Sequence, residues 1–143
     1  MRIWFDMDGT LADLYGVEDW LPKLRAYDTT PYRDAAPMLR LSTLARLLNT
    51  LQREGYEIGI ISWLSKDPDP TYGAEVTLAK IKWLKKHLTS VDWDHLNIVP
   101  YGTPKQKVCG DGILFDDEES NRIAWGEGAY DATEILEVLK SLL

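Results

Sequence analysis

The chain contains a single cysteine, Cys109, and therefore forms no internal disulfide. A reducing, cytoplasmic setting is the simplest expectation, with Cys109 as a small core residue. No run approaches the ~20 apolar residues of a membrane-crossing helix. The amino terminus enters a predicted strand at once, which leaves no room for a signal peptide. Histidine is scarce, and His87 and His95 stand at no metal-ligand spacing with any partner, so both are read as surface residues. Excess basic charge is missing too. A net charge of −7 disfavours broad binding to duplex nucleic acid, which depends on clustered Lys and Arg. It still admits a small phosphorylated substrate, because a metal ion and one or two local lysines reverse the field inside a cleft. Internal repeats and low-complexity segments are also lacking.

What is there is 143 residues of ordinary globular composition, enough for one domain with a proper core. Arg2 to Phe5 reads as a first strand, Tyr56 to Ser62 as a second, Asn97 to Pro100 as a third and Ile113 to Phe115 as a fourth. Leu41, Leu44, Ala45, Leu48 and Leu51 give one apolar face to a helix over 38–54, which Gly55 stops. A loop is predicted over 65–73, where Asp67, Pro68, Asp69, Pro70 and Gly73 cluster. A second helix follows over 74–88, with Leu78, Ile81, Leu84 and Leu88 inward. Lys80, Lys82, Lys85 and Lys86 are read as its solvated face. The last helix starts at Asp131, with Glu134 three residues on as a capping box. Residues 14–37, broken by Pro22, Pro31 and Pro37, read as a small irregular insertion with one or two short helices. Strands alternating with helices predict a parallel sheet covered on both faces, an α/β Rossmann-like three-layer core.

In such sheets, sites lie outside the carboxyl ends of the strands at the switch point. That rule gathers Asp6, Asp8, Ser62 and Asp116 onto one edge. Asp6 and Asp8 are two apart at the end of an extended segment, so both face one side, and Gly9 lets the chain turn tightly behind them. A calcium-loop reading of Asp-x-Asp-Gly fails, because no further acidic residues follow at the required offsets and a strand precedes it. The set suits cleavage of a phosphate ester. Asp6 can attack phosphorus and form an aspartyl-phosphate, and Asp8 can protonate the leaving group and then activate water. Asp6, the backbone carbonyl of Asp8, and Asp116 are the natural ligands for Mg²⁺. Ser62 can donate to a phosphoryl oxygen, and Lys105 or Lys107 can cancel the remaining charge. Asp117 is expected to support the site by holding the lysine or a metal-bound water rather than by binding the ion.

Four segments in order carry a resemblance. Asp6-Met-Asp-Gly-Thr-Leu11, Ile60-Ile-Ser62, Lys105 and Leu114-Phe-Asp-Asp117 resemble the four motifs of the haloacid dehalogenase (HAD) superfamily of aspartate-nucleophile phosphatases. Within it, Lys80 to Leu88 and Lys105 to Asp111 look like segments of the 5′(3′)-deoxyribonucleotidases and their small bacterial and phage relatives. The resemblance implies one HAD-like domain over 1–143 with a minimal cap at about 14–37, and a Mg²⁺-dependent phosphomonoesterase. It favours Lys105 over Lys107, and a nucleoside monophosphate as substrate, hence a nucleotidase. The reduced insertion departs from those enzymes' larger cap, and Trp63 stands where they have a small residue. The small cap is therefore expected to permit a larger substrate, a different small phosphate, or closure by a partner subunit in a homo-oligomer.

Other readings stay open. The phosphate could sit on a nucleic-acid end or another polymer, the acceptor could be something other than water, or the chain could bind Mg²⁺ on this fold without turnover. Trp63, Trp20, Tyr27 and Tyr32 could stack on a base or form the insertion's own core. Asn121 could orient the loop after the fourth strand or cap the helix near 119–124.

Overall fold

The computed structural model describes residues 1–66 and 69–143; Asp67 and Pro68 of the expected loop lie outside the described residues. In chain order the elements are β1 (Arg2–Phe5), β2 (Ala12–Asp13), a single-turn helix (Leu14–Gly16), α1 (Trp20–Arg25), α2 (Thr30–Asp34) and β3 (Ala36–Pro37). Then come α3 (Leu41–Arg53), β4 (Glu57–Trp63), α4 (Pro70–His87), β5 (His95–Val99), α5 (Lys105–Cys109), β6 (Ile113–Phe115), α6 (Glu119–Trp125) and β7 (Ala129–Tyr130). A second single turn (Ala132–Glu134) leads into α7 (Ile135–Ser141).

The main sheet is parallel throughout, in the order β5-β4-β1-β6-β7. β1 lies at its centre, with Phe5 opposite Ile60 on one side and Phe115 on the other. The chain builds outward from β1 through β4 to β5, then crosses back to β6 and β7, so the switch point falls at the end of β1.

Side chains alternate across the sheet with the two-residue period of a strand. Ile3, Phe5, Ile58, Ile60, Ile113 and Phe115 form one face and pack with the buried leucines of α3, Trp83 and Leu84 of α4, and Ile135 and Leu139 of α7. Trp4, Ile61 and Leu114 form the other, against Cys109 of α5 and Trp125 of α6. Cys109 is a buried core residue, and burial pushes its thiol up to about 12. Gly59 has a packing reason inside a strand: a Cβ there would come 2.6 Å from the Trp4 ring.

α4 begins four residues before the predicted start. Asp69 caps it by accepting from the Tyr72 amide at 2.9 Å, and Pro70 suits a first helical turn, where its missing N–H costs nothing. Its buried face is also rotated. Tyr72, Val76, Lys80, Trp83 and Leu84 are buried, while Leu78 is exposed.

The insertion is anchored at its neck and on α4. β2 and β3 pair antiparallel, Ala12 against Pro37, and close the neck. Leu14 and Tyr32 pack with Tyr72 and Val76 of α4. The Tyr72 hydroxyl donates to the Asp28 carbonyl at 2.8 Å, and the Trp83 indole to that of Ala35 at 2.8 Å. Tyr32 therefore belongs to the insertion's own core, and Tyr27 rests exposed beside Tyr72. His87 is half-buried against Trp83, and His95 half-buried between Trp4 and Glu57, so neither is a free surface residue. Among the described residues, no helix is long and apolar enough to cross a membrane.

Candidate active site

The end of β1 is drawn against β6 when the Asp6 amide donates to the Phe115 carbonyl at 2.9 Å. The chain then doubles back. The Met7 carbonyl accepts from the amides of Thr10, Leu11 and Ala12, and Gly9 adopts a φ of +80°. A side chain at Gly9 would collide with the Asp117 carboxylate and with the Tyr15 ring. Glycine there meets both the left-handed backbone and the close approach of the second acidic segment.

This turn brings acidic groups from opposite ends of the sequence together. Single oxygens of Asp6, Asp116 and Asp117 lie within 4.8 Å of one another. Thr10 Oγ1 bridges two of the residues, at 3.1 Å from Asp6 Oδ2 and 3.2 Å from Asp117 Oδ1. Lys105 Nζ joins Asp6 Oδ1 at 3.0 Å and Asp116 Oδ2 at 2.7 Å. Lys107, two residues on along α5, is exposed, so Lys105 is the lysine inside the cluster. Asp116 is held further by the Glu118 amide at 3.0 Å and Asn121 Nδ2 at 3.2 Å. Asn121 thus orients the loop after β6 rather than capping α6.

Lys80 is a buried member of the site, not part of a solvated helix face. Its ammonium donates to Asp8 Oδ2 at 3.0 Å, Ser62 Oγ at 2.7 Å and the Trp63 carbonyl at 2.7 Å. The signal was present in the sequence: Lys80 lies four residues from both Val76 and Leu84, on the apolar stripe itself.

Asp6, Asp8, Asp116 and Asp117 thus face Lys80 and Lys105, an excess of carboxylates in a buried setting. Their acidities record the strain. Burial pushes the Asp116 carboxyl up to about 6, reinforced by the Asp6 charge. Burial and the neighbouring Asp6 push Asp117 up to about 8. Burial also raises Asp8, against the pull of Lys80. For Lys105, burial favours the neutral amine, but the Asp6 and Asp116 charges outweigh it and hold the group above its ordinary value. A compact set of hard carboxylate oxygens, crowded enough to disfavour one another's charge, fits a small divalent cation. In this cluster Asp117 stands with Asp6 and Asp116, while the side chain of Asp8 turns to Lys80.

The cluster opens onto a cleft of about 270 Å³ lined by Asp6, Asp8, Trp63, Lys105 and Asp116 among others. Ser62 is fully buried behind this lining, tied to it through Lys80. The outer walls are aromatic. Tyr15 and Trp20 of the insertion meet edge to face at 4.9 Å. Trp63 and Tyr101, from the ends of β4 and β5, tilt together at 5.0 Å, and the Trp63 indole is fixed by donating to the Thr103 carbonyl at 2.8 Å. Lys105 Nζ stands 5.3 Å from the Trp63 ring centre. Tyr101, Glu118 and Lys66 also line the cleft and carry no motif of their own; nothing in their sequence setting marks them.

No protein-family profile matches the chain, and no curated protein matches its sequence. Solved structures do match its architecture. D,D-heptose 1,7-bisphosphate phosphatase from Burkholderia thailandensis superposes with a TM-score of 0.58 at 11% identity, over 99% of this chain and 97% of that one. A chain of the Pnkp1/Rnl/Hen1 complex superposes with a TM-score of 0.59 at 16% identity, over 92% of this chain and 44% of that one. The fold is shared. It is the α/β Rossmann-like arrangement expected from the alternation of strands and helices.

Proposed function

We propose that the protein is a Mg²⁺-dependent phosphomonoesterase of HAD type, working through an aspartyl-phosphate on Asp6, with a nucleoside monophosphate as the preferred substrate class. The observation that carries this reading is Lys105 locked between Asp6 and Asp116 at the floor of the cleft. A carboxylate held at a strand end by a buried cation is an oriented nucleophile whose charge partner offsets the repulsion of an incoming phosphate. The match to a solved phosphatase fold supports it.

Asp6 attacks phosphorus, the bond to the leaving oxygen breaks, and Asp8 gives that oxygen its proton. Water then attacks the aspartyl-phosphate and passes its proton to Asp8, which frees inorganic phosphate and restores the Asp6 carboxylate. Lys105 uses two of its three N–H groups on Asp6 and Asp116, leaving the third for a phosphoryl oxygen. A divalent cation held by Asp6, Asp116, Asp117 and the Asp8 carbonyl would neutralise charge on the phosphoryl oxygens. The aromatic walls support a nucleoside as the leaving part of the substrate, since every base offers a face to stack.

A second reading concerns the substrate's length. The cleft shares Leu21, Leu24, Ser65 and Lys66 with a neighbouring cavity of about 350 Å³ that Arg25 and Tyr27 also line. An anionic extension of the substrate, such as the next phosphate of a nucleic-acid end, suits that pair of cations. A panel of nucleoside monophosphates, phosphorylated oligonucleotides and sugar phosphates, each with Mg²⁺ or with chelator, tests both readings. Metal-dependent release of phosphate from mononucleotides supports the first, and faster release from oligonucleotide ends supports the second. Release from no ester leaves a non-catalytic metal-binding protein on this fold.

A further inference from the structure

We infer that Lys80 is a positioning residue that sets Asp8 for proton transfer, a role that rests on the phosphatase reading above. The two buried lysines of the site differ in how their donors are spent. An ammonium has three N–H groups and no acceptor. Lys80 commits all three, to Asp8 Oδ2, Ser62 Oγ and the Trp63 carbonyl. It does not line the cleft, and the Tyr32 ring of the insertion, 5.2 Å from Nζ, covers it. Lys80 therefore has no donor left for a substrate.

Its partners acquire direction from it. Lys80 can only donate, so the Ser62 oxygen must accept, which ties the buried Ser62 and the end of β4 to the helix. Asp8 receives the ammonium on Oδ2, which pins the carboxyl and leaves Oδ1 to carry the transferable proton. The Trp63 carbonyl fixes the end of β4, from which both Ser62 and the Trp63 ring extend. One helix side chain thereby holds the proton donor and one aromatic wall in a single frame.

This assignment separates proton transfer from attack on phosphorus. Steady-state and rapid-quench kinetics of wild type and Lys80→Met are compared on a nucleoside monophosphate and on p-nitrophenyl phosphate, whose leaving group departs without a proton. The variant is expected to lose roughly 100-fold in kcat on the nucleotide, the scale of a displaced general acid. Formation of the phospho-enzyme from p-nitrophenyl phosphate stays within about 5-fold of wild type, while its hydrolysis slows and a burst of p-nitrophenol appears. KM for the nucleotide changes far less than kcat. Equal losses in the rate of phospho-enzyme formation from both esters, or no loss on either, overturn the inference while leaving the phosphatase reading intact. A wild-type protein that hydrolyses neither ester removes the phosphatase reading and this inference with it. If Lys80→Met does not fold, judged by near-ultraviolet circular dichroism, Lys80→Gln keeps a donor to one partner and decides by the same comparison. Failure of both variants to fold makes Lys80 a purely structural residue and overturns its positioning role.

Discussion

The Lys105 ammonium donates to Asp6 at 3.0 Å although the two residues stand 99 apart in sequence, and the contact closes the site between the first strand and the helix before β6. Both partners are buried. Lys105→Met leaves Asp6 and Asp116 facing each other without their shared cation. Breaking a buried pair by removing one partner costs about 3–5 kcal/mol. Urea denaturation without metal should show a loss of that order, and saturating Mg²⁺ should recover part of it. A midpoint equal to wild type would contradict the pairing.

Metal binding should stabilise the folded state by mass action. At a Mg²⁺ concentration of about 100 times the dissociation constant, the gain is about 2.7 kcal/mol. Thermal denaturation against a Mg²⁺ titration should therefore raise the Tm of wild type. The shift should fall sharply in Asp116→Asn and Asp117→Asn, since both carboxylates stand in the one cluster. An unchanged shift in Asp117→Asn would return that residue to a supporting role.

The sheet was legible because its strands are short apolar runs between turn residues, and buried parallel strands carry that pattern. Arg2–Phe5 and Ile113–Phe115 end where expected, so Asp6 and Asp116 follow them directly. β7 escaped because Ala129 and Tyr130 alone, between Gly128 and Asp131, form no periodic signal. Lys80 escaped for a chemical reason. Amphipathic reading sends lysine to solvent, and only a carboxylate delivered from another element makes its burial favourable. That partner, Asp8, lies 72 residues away, so the place of Lys80 on the apolar stripe signals its burial but not the group it meets. The start of α4 was hidden by Pro70 and Gly73, which read as loop until the Asp69 cap is seen.

The aromatic walls make a separate prediction about substrate. Stacking on an aromatic side chain is worth about 1–3 kcal/mol per base. Trp20 is half-exposed at the cleft, packed edge to face on Tyr15. Trp20→Ala should raise KM for nucleoside monophosphates about 10-fold and leave p-nitrophenyl phosphate and small sugar phosphates nearly unaffected. An equal change for every ester would mean that the insertion closes the cleft without reading a base.

Asp131 links the last helix to the site. Its carboxylate caps the turn before α7 through Thr133 and accepts from Arg122 at 3.1 Å, and Arg122 also donates to the Asp116 carbonyl at 2.9 Å. The Thr133 hydroxyl and amide hold the Asp131 carboxyl below its ordinary value. A lowered folded-state value means that the stabilisation is present above the unfolded value and fades as pH falls through the folded one. Asp131→Ala should cost about 1 kcal/mol at neutral pH. In urea denaturation, the gap to wild type should narrow on acidification to pH ~3, below the reference Asp value. A gap independent of pH would contradict the cap.

Acid quench of the wild-type protein during turnover of a labelled phosphate ester with Mg²⁺, followed by peptide mapping, tests the catalytic claim most directly. The label should sit on the peptide containing Asp6, at the Asp6 carboxyl, and disappear in Asp6→Asn together with activity, with the fold retained. Steady turnover with no label on that peptide, or wild-type rates in Asp6→Asn, would contradict the account.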